Sequence, residues 1–196
     1  MRSMDPGVES GSPGGGRALF VDRDGTLNPD LHYLREAERV ELYRGVGESL
    51  ALARDHGYAI VCVTNQSGIE RGFYTVKDVE EIHARVNDLL RPNRAHVDAF
   101  YYCPHVPEAN CDCRKPGTAL FERAARDLSL DFATSAIIGD RSLDIEAGDR
   151  LGLLTALVVP PGHETVMRAE LAASGVRPAI ETGRFRSAVH RILARG

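Results

Sequence analysis

The segment Ala18-Leu19-Phe20-Val21-Asp22-Arg23-Asp24-Gly25-Thr26 decides how the chain is read. Four apolar residues in succession, bounded at once by charge, describe a strand buried on both faces that stops in a polar turn. Asp22 and Asp24 leave that strand two residues apart. Carboxylates so placed repel each other unless a divalent cation or a shared proton relieves them. Gly25 permits the tight turn that aims them outward. An isolated Asp-x-Asp-Gly also serves as a plain turn or helix cap, so the strand end and its downstream partners decide between the two readings.

Two later runs end in the same way. Residues 58–63 (YAIVCV) lead into Thr64-Asn65-Gln66-Ser67-Gly68, and residues 136–139 lead into Asp140. A hydroxyl, two amides and backbone N–H groups before a glycine suit a phosphate. Helical spacing is expected over 46–56, 76–90, 119–128, 142–151 and 185–193, with further strands over 97–102 and 155–159. Apolar strands alternating with helices predict an α/β fold, doubly wound and Rossmann-like, with a mainly parallel sheet covered on both faces. Ligands of such folds sit outside the carboxyl ends of the strands, where Asp22, Thr64 and Asp140 should converge. One domain is expected over 17–196, behind a Gly/Ser/Pro-rich leader over 1–16 expected to be disordered.

Composition narrows the partners. The chain has 196 residues, 24 Lys plus Arg against 28 Asp plus Glu, and a net charge of −4. No basic excess calls for nucleic acid, and no run of about 18 apolar residues could span a membrane. Residues 1–16 lack the apolar core of a secretory signal. A cytoplasmic monomer acting on a small molecule is the expectation.

Cysteine usage adds a second site. Three of the four cysteines, Cys103, Cys111 and Cys113, share an eleven-residue stretch with His105. Without a secretory signal a disulfide framework is a poor default, and a Cys₃His set is a closed structural Zn²⁺ site. Cys62, inside a strand, reads as a core residue. The cluster runs directly into Arg114-Lys115. The chain uses 22 Arg but only two Lys, Lys77 and Lys115. A lysine chosen beside an arginine suggests a need for a compact ammonium. Zinc would then brace the loop that presents these cations.

DRDGT, Thr64, Lys115 and GDRSLD, in that order and at strand ends, resemble the four motifs of the haloacid dehalogenase superfamily of phosphotransferases over residues 17–160. The resemblance implies that fold, with Asp22 as nucleophile forming an aspartyl-phosphate and Asp24 as general acid and base. It implies that Thr64 and Lys115 hold the transferring phosphoryl group. Mg²⁺ would be held by Asp22, Asp140 and the carbonyl of Asp24, with Asp144 supporting the loop. Gaps of 41 and 50 residues between the first three motifs leave no room for a cap domain, so a capless, open site is expected.

The CPH…CDCRKP run narrows the likeness to the D-glycero-D-manno-heptose 1,7-bisphosphate 7-phosphatases and the related histidinol-phosphate phosphatases. DRDGTLN, TNQSGIERG and YYCPH resemble the heptose branch. That branch implies substrate contacts from Asn28, Asp30 and Tyr33 in a first loop, and from Asn65, Gln66 and Ser67 in a second. Arg114 and Arg141 would add cationic contacts, and a phosphorylated sugar would be the substrate. The five-residue gap between His105 and Cys111 is closer to the histidinol branch, which stands as the alternative. A zinc-braced binding module with merely structural carboxylates is a third reading, disfavoured by the absence of a basic stripe.

Overall fold

A computed structural model describes residues 2–4, 15–159 and 162–195. Seven strands form one sheet: β1 (Arg2–Met4), β2 (Arg17–Val21), β3 (Tyr58–Asn65), β4 (Ala99–Cys103), β5 (Ala136–Gly139), β6 (Leu154–Val158) and β7 (Ile180–Thr182). Their order across the sheet is β1-β4-β3-β2-β5-β6-β7. The six from β2 onward are parallel, and β1 pairs antiparallel with β4.

Alternation along β2 shows why the sheet is covered twice. Leu19 and Val21 point to one face, Ala18 and Phe20 to the other, and all four are buried. The Leu19 face meets helices α1 (Val46–Asp55), α2 (Val76–Leu90) and α6 (Phe185–Leu193) through residues such as Leu50, Ile82 and Val189. The Phe20 face meets α3 (Ala119–Leu128) and α4 (Ser142–Leu151) through Phe121, Ala124 and Ala147. Helix α5 (Glu164–Ser174) seats Met167 on the same side, against Ile145 and Leu157. Local chemistry agrees at the start of α2. Asp78 N donates to Thr75 Oγ1 at 3.2 Å and Thr75 N donates back to Asp78 Oδ2 at 2.6 Å, a reciprocal cap.

The doubly wound parallel architecture is as the apolar runs require. The leader expected over 1–16 is corrected in part: Arg2–Met4 are a strand, and Gly16 N already donates to Ser129 O at 2.8 Å. Residue 1 and residues 5–14 lie outside the described residues. Two further elements carried no sequence signal. In α5 only Met167 is buried, so no apolar stripe announces the helix, and β7 is three residues long. Between Asp22 and Lys115 stand only α1, α2, β3, β4 and short 3-10 turns, with no inserted domain. Among the described residues no helix is long and apolar enough to cross a membrane.

Phe121 is fully buried, and its ring lies 5.2 Å from that of Phe20, edge to face. Phe121→Ala is expected to cost about 3–5 kcal/mol, read by urea denaturation, because the sheet cannot close on the space left.

Candidate active site

Strand order reverses at β2: β3 and β4 build to one side, β5 to β7 to the other. This makes the carboxyl ends of β2, β3 and β5 the crevice of the fold. Asp22 leaves β2 with its N–H donating to Ile138 O at 3.0 Å, which ties it to β5. Asp140 follows β5 and accepts from Thr26 Oγ1 at 3.2 Å. Gly25 has φ of +87°, and a Cβ there would stand 2.1 Å from Asp140 Oδ2. Only glycine fits both the turn and that approach.

Lys115 is the hub. Its side chain is 4% exposed, and its ammonium donates to Asp22 Oδ1 at 2.7 Å, Asp144 Oδ1 at 2.6 Å and Val63 O at 2.7 Å. Those three acceptors use all three of its protons. Burial opposes its charge, yet Asp144 and Asp22 together hold its pKa above the usual lysine value. Asp144 also accepts from Arg141 N at 3.1 Å, so it braces both the lysine and the turn into α4.

The carboxylates divide into two environments. Burial raises Asp22 from its ordinary 3.8 to about 6, against the pull of Lys115. Burial, then repulsion from Asp22 and Asp144, raises Asp140 to about 8. Oxygens of Asp22, Asp140 and Asp144 lie within 4.8 Å of one another. Such crowded hard oxygens fit a divalent cation such as Mg²⁺. Asp24 is different. Burial works against its ionisation, but Arg23 (2.7 Å), Asn28 (3.0 Å) and Gln66 (2.9 Å) all donate to it and hold its pKa below the usual value. Its side chain therefore lies outside the three-carboxylate group.

The second loop organises more than it exposes. Gln66 Nε2 donates to Asp24 Oδ2 and to Thr64 Oγ1, both at 2.9 Å, while Tyr74 OH donates to Gln66 Oε1 at 2.7 Å. Tyr74 thus fixes which way the amide faces, a role that no spacing in the sequence signals. Asn65 exchanges hydrogen bonds with the Lys115 backbone, accepting from its N–H at 3.0 Å and donating to its carbonyl at 3.3 Å. The Lys115 loop is thereby clamped to the end of β3.

The cysteine cluster sits behind that loop. Cys103 Sγ lies 3.5 Å from Cys111 Sγ and 3.3 Å from Cys113 Sγ, and the latter two are 3.4 Å apart. His105 Nδ1 lies 3.6 Å from Cys103 Sγ and 3.2 Å from Cys113 Sγ. Tetrahedral Zn²⁺ with Zn–S near 2.3 Å and Zn–N near 2.0 Å implies edges of roughly 3.5–3.8 Å. Five of the six edges of such a tetrahedron are thus within about half an ångström of those values, and all four donor atoms lie within 4.8 Å of one another. Gly117 closes the loop where a Cβ would meet Asp112 O at 2.2 Å.

A cavity of about 350 Å³ opens over these groups. Of the residues expected there, Asp22, Asp24, Thr64, Lys115, Asp140, Asp30, Tyr33, Asn65, Gln66, Ser67, Arg114 and Arg141 all line it. Asn28 does not: it is 1% exposed, donates to Asp24 and Pro29 O, and lines a neighbouring cavity instead. His32, Leu34, Tyr74 and Leu143 line the main cavity without having been expected.

The likenesses to known proteins follow this geometry. The HAD-hydrolase-like family model matches residues 112–180. The chain is 37% identical over 166 residues to the D-glycero-beta-D-manno-heptose-1,7-bisphosphate 7-phosphatase of Haemophilus ducreyi, covering 81% of this chain and 91% of that one. The chain belongs to this phosphatase family. A second member, from Chlorobaculum tepidum, is 39% identical over 155 residues, 72% of this chain and 78% of its own. The crystal structure of D,D-heptose 1,7-bisphosphate phosphatase from B. bronchiseptica, complexed with magnesium and phosphate, superposes with a TM-score of 0.79 at 26% identity. It covers 92% of this chain and 99% of that one.

The raised carboxyls give a stability test. An acid whose pKa rises on folding binds more protons folded than unfolded, so stability falls as pH climbs from about 4 through the folded value. With Asp22 at about 6 and Asp140 at about 8, that window runs to about pH 8. In cation-free buffer Asp140→Asn should be more stable than the parent at pH 8, by roughly 1–3 kcal/mol, with the gap closing toward pH 4. Denaturation curves at both pH values measure it.

Proposed function

We propose that this chain is a Mg²⁺-dependent phosphatase that removes the 7-phosphate of D-glycero-D-manno-heptose 1,7-bisphosphate through an aspartyl-phosphate at Asp22. One observation carries the reading: Asp22 is fixed by the Lys115 ammonium at 2.7 Å, beside Asp140 and at the floor of a cavity lined by two arginines. The names borne by the relatives at 37% and 39% identity support the substrate.

In this reading the Asp22 carboxylate attacks phosphorus and the sugar alkoxide departs with a proton from Asp24. Water then attacks the phosphoryl group, gives its proton to Asp24, and leaves phosphate and a free Asp22. Lys115 and Thr64 stabilise the charge on the transferring oxygens. The Arg23, Asn28 and Gln66 contacts stabilise the carboxylate that Asp24 becomes once its proton has gone to the alkoxide, and the water of the second step restores that proton. Mg²⁺ would be held by Asp22, Asp140 and the Asp24 carbonyl, and would supply neutralising charge for the phosphoryl group. Asp30, Tyr33, Ser67, Arg114 and Arg141 would meet the rest of the sugar bisphosphate. Zn²⁺ in the Cys103, His105, Cys111 and Cys113 set would be structural and would hold Arg114 and Lys115 in place. All four cysteines are free, which suits a reducing, cytoplasmic setting for a monomer.

The short gap between His105 and Cys111 favours one second reading, hydrolysis of histidinol phosphate. Phosphate release from a panel of phosphorylated sugars and histidinol phosphate separates them. We expect kcat/KM for the heptose bisphosphate to exceed that for histidinol phosphate at least about tenfold. The opposite ranking would assign the chain to the histidinol reaction. Asp22→Asn should lower kcat by more than about a thousandfold while the chain stays folded by circular dichroism. Elemental analysis of untreated protein should find one zinc per chain, and none in a protein whose cysteines all react with a thiol reagent.

A further inference from the structure

Two arginines line the cavity, and each is held by a group that does not line it. Arg114 Nη1 donates to His105 O at 3.1 Å, so the Cys₃His loop steers it. Arg141 is held by Glu170 of α5: Nε donates to Oε2 at 3.2 Å and Nη2 to Oε1 at 2.8 Å. That side-on pairing engages two of the three guanidinium nitrogens in a planar, bidentate contact. Nη1 is left for a ligand, and Arg141 lines the cavity while Glu170 does not.

The pair is half exposed on the arginine side, with the Arg141 side chain 53% accessible. An ion pair in that setting adds little stability. Its effect is on orientation. A free arginine on a surface samples many rotamers, and binding an anion would freeze them at an entropic cost. Glu170 fixes the guanidinium plane beforehand through Nε and Nη2, and the residue so held lines the cavity. Asp140 and Asp144 also attract the guanidinium electrostatically, from the side of the carboxylate cluster.

We propose that Glu170 is a positioning residue for recognition of a second phosphate: it aims Arg141 at the phosphate that is not transferred. This rests on the bisphosphatase reading above, in which one phosphate lies at Asp22 and the other is free to meet Arg141. Helix α5 is then the fixed wall against which the distal phosphate is recognised, a task that an inserted domain would otherwise perform.

The test is steady-state kinetics on the full chain with Mg²⁺ present, using the heptose 1,7-bisphosphate and the matching 7-monophosphate. Glu170→Ala should raise KM for the bisphosphate about fivefold, with kcat changed less than twofold and KM for the monophosphate unchanged. Glu170→Gln keeps an acceptor for Arg141 and should recover most of the loss. Arg141→Ala should raise KM for the bisphosphate at least as much. Adding Glu170→Ala to Arg141→Ala should do nothing further, because Glu170 acts only through Arg141. Unchanged or lower KM in Glu170→Ala, or an equal loss with the monophosphate, would overturn the proposal while leaving the bisphosphatase reading in place. A parent protein that hydrolyses the monophosphate and not the bisphosphate would overturn both.

Discussion

One buried ammonium sets the terms for the rest of the site. Lys115 lies between Asp22 and Asp144 with every proton donated and almost no access to solvent. Burying three charges together is costly unless their geometry is good and their remaining hydrogen bonds are satisfied. Here both conditions are met because three segments far apart in sequence end at one sheet edge. β2 delivers Asp22, the turn after β5 leads to Asp144, and the loop after β4 delivers Lys115. The parallel order of β3, β2 and β5 makes that coincidence possible.

The surrounding chemistry follows from keeping Lys115 where it is. Its loop has little apolar surface of its own to pack. It is held by the Asn65 amide on one side and by the Cys₃His cluster on the other. Asp24, two residues from Asp22, has to be kept out of the same crowd of charge. Arg23, Asn28 and Gln66 turn its carboxylate away and stabilise it as an anion. Two neighbouring carboxylates in one turn thus acquire opposite pKa shifts, burial raising Asp22 and donated hydrogen bonds lowering Asp24. The cost is stored at Asp22 and Asp140, whose ionisation in the folded chain is opposed by burial and by neighbouring carboxylates, Asp144 beside Asp22 and both Asp22 and Asp144 beside Asp140.

The sheet was legible in the sequence because its central strands are unbroken apolar runs, each ending in one polar residue. Asp22, Thr64 and Asp140 stand at those ends, and their convergence follows from the fold class alone. The cysteine cluster was legible from density, since three thiols and an imidazole in eleven residues need a common reason. Less could be read where function depends on side-chain direction. Asn28 sits in a substrate-loop pattern but faces inward to Asp24, and nothing in its neighbours encodes that turn. Tyr74 orients Gln66 from eight residues away, across a loop whose path is set by tertiary contacts. Glu170 was invisible because α5 buries a single apolar residue and so lacks helical periodicity. Arg2–Met4 became a strand only because β4 offers an open edge, a property of the assembled sheet.

The central claim is that the Asp22 carboxylate, held by Lys115, takes the phosphoryl group. Acid-quenched turnover of a phosphate-labelled substrate, followed by peptide mapping, tests it most directly. The account predicts a transient acid-stable phosphoryl group, up to one per chain, on the peptide that carries Asp22, and none in Asp22→Asn. A single-turnover reaction that releases phosphate with no labelled peptide at any time, or with the label on Asp24 or a histidine, would contradict it.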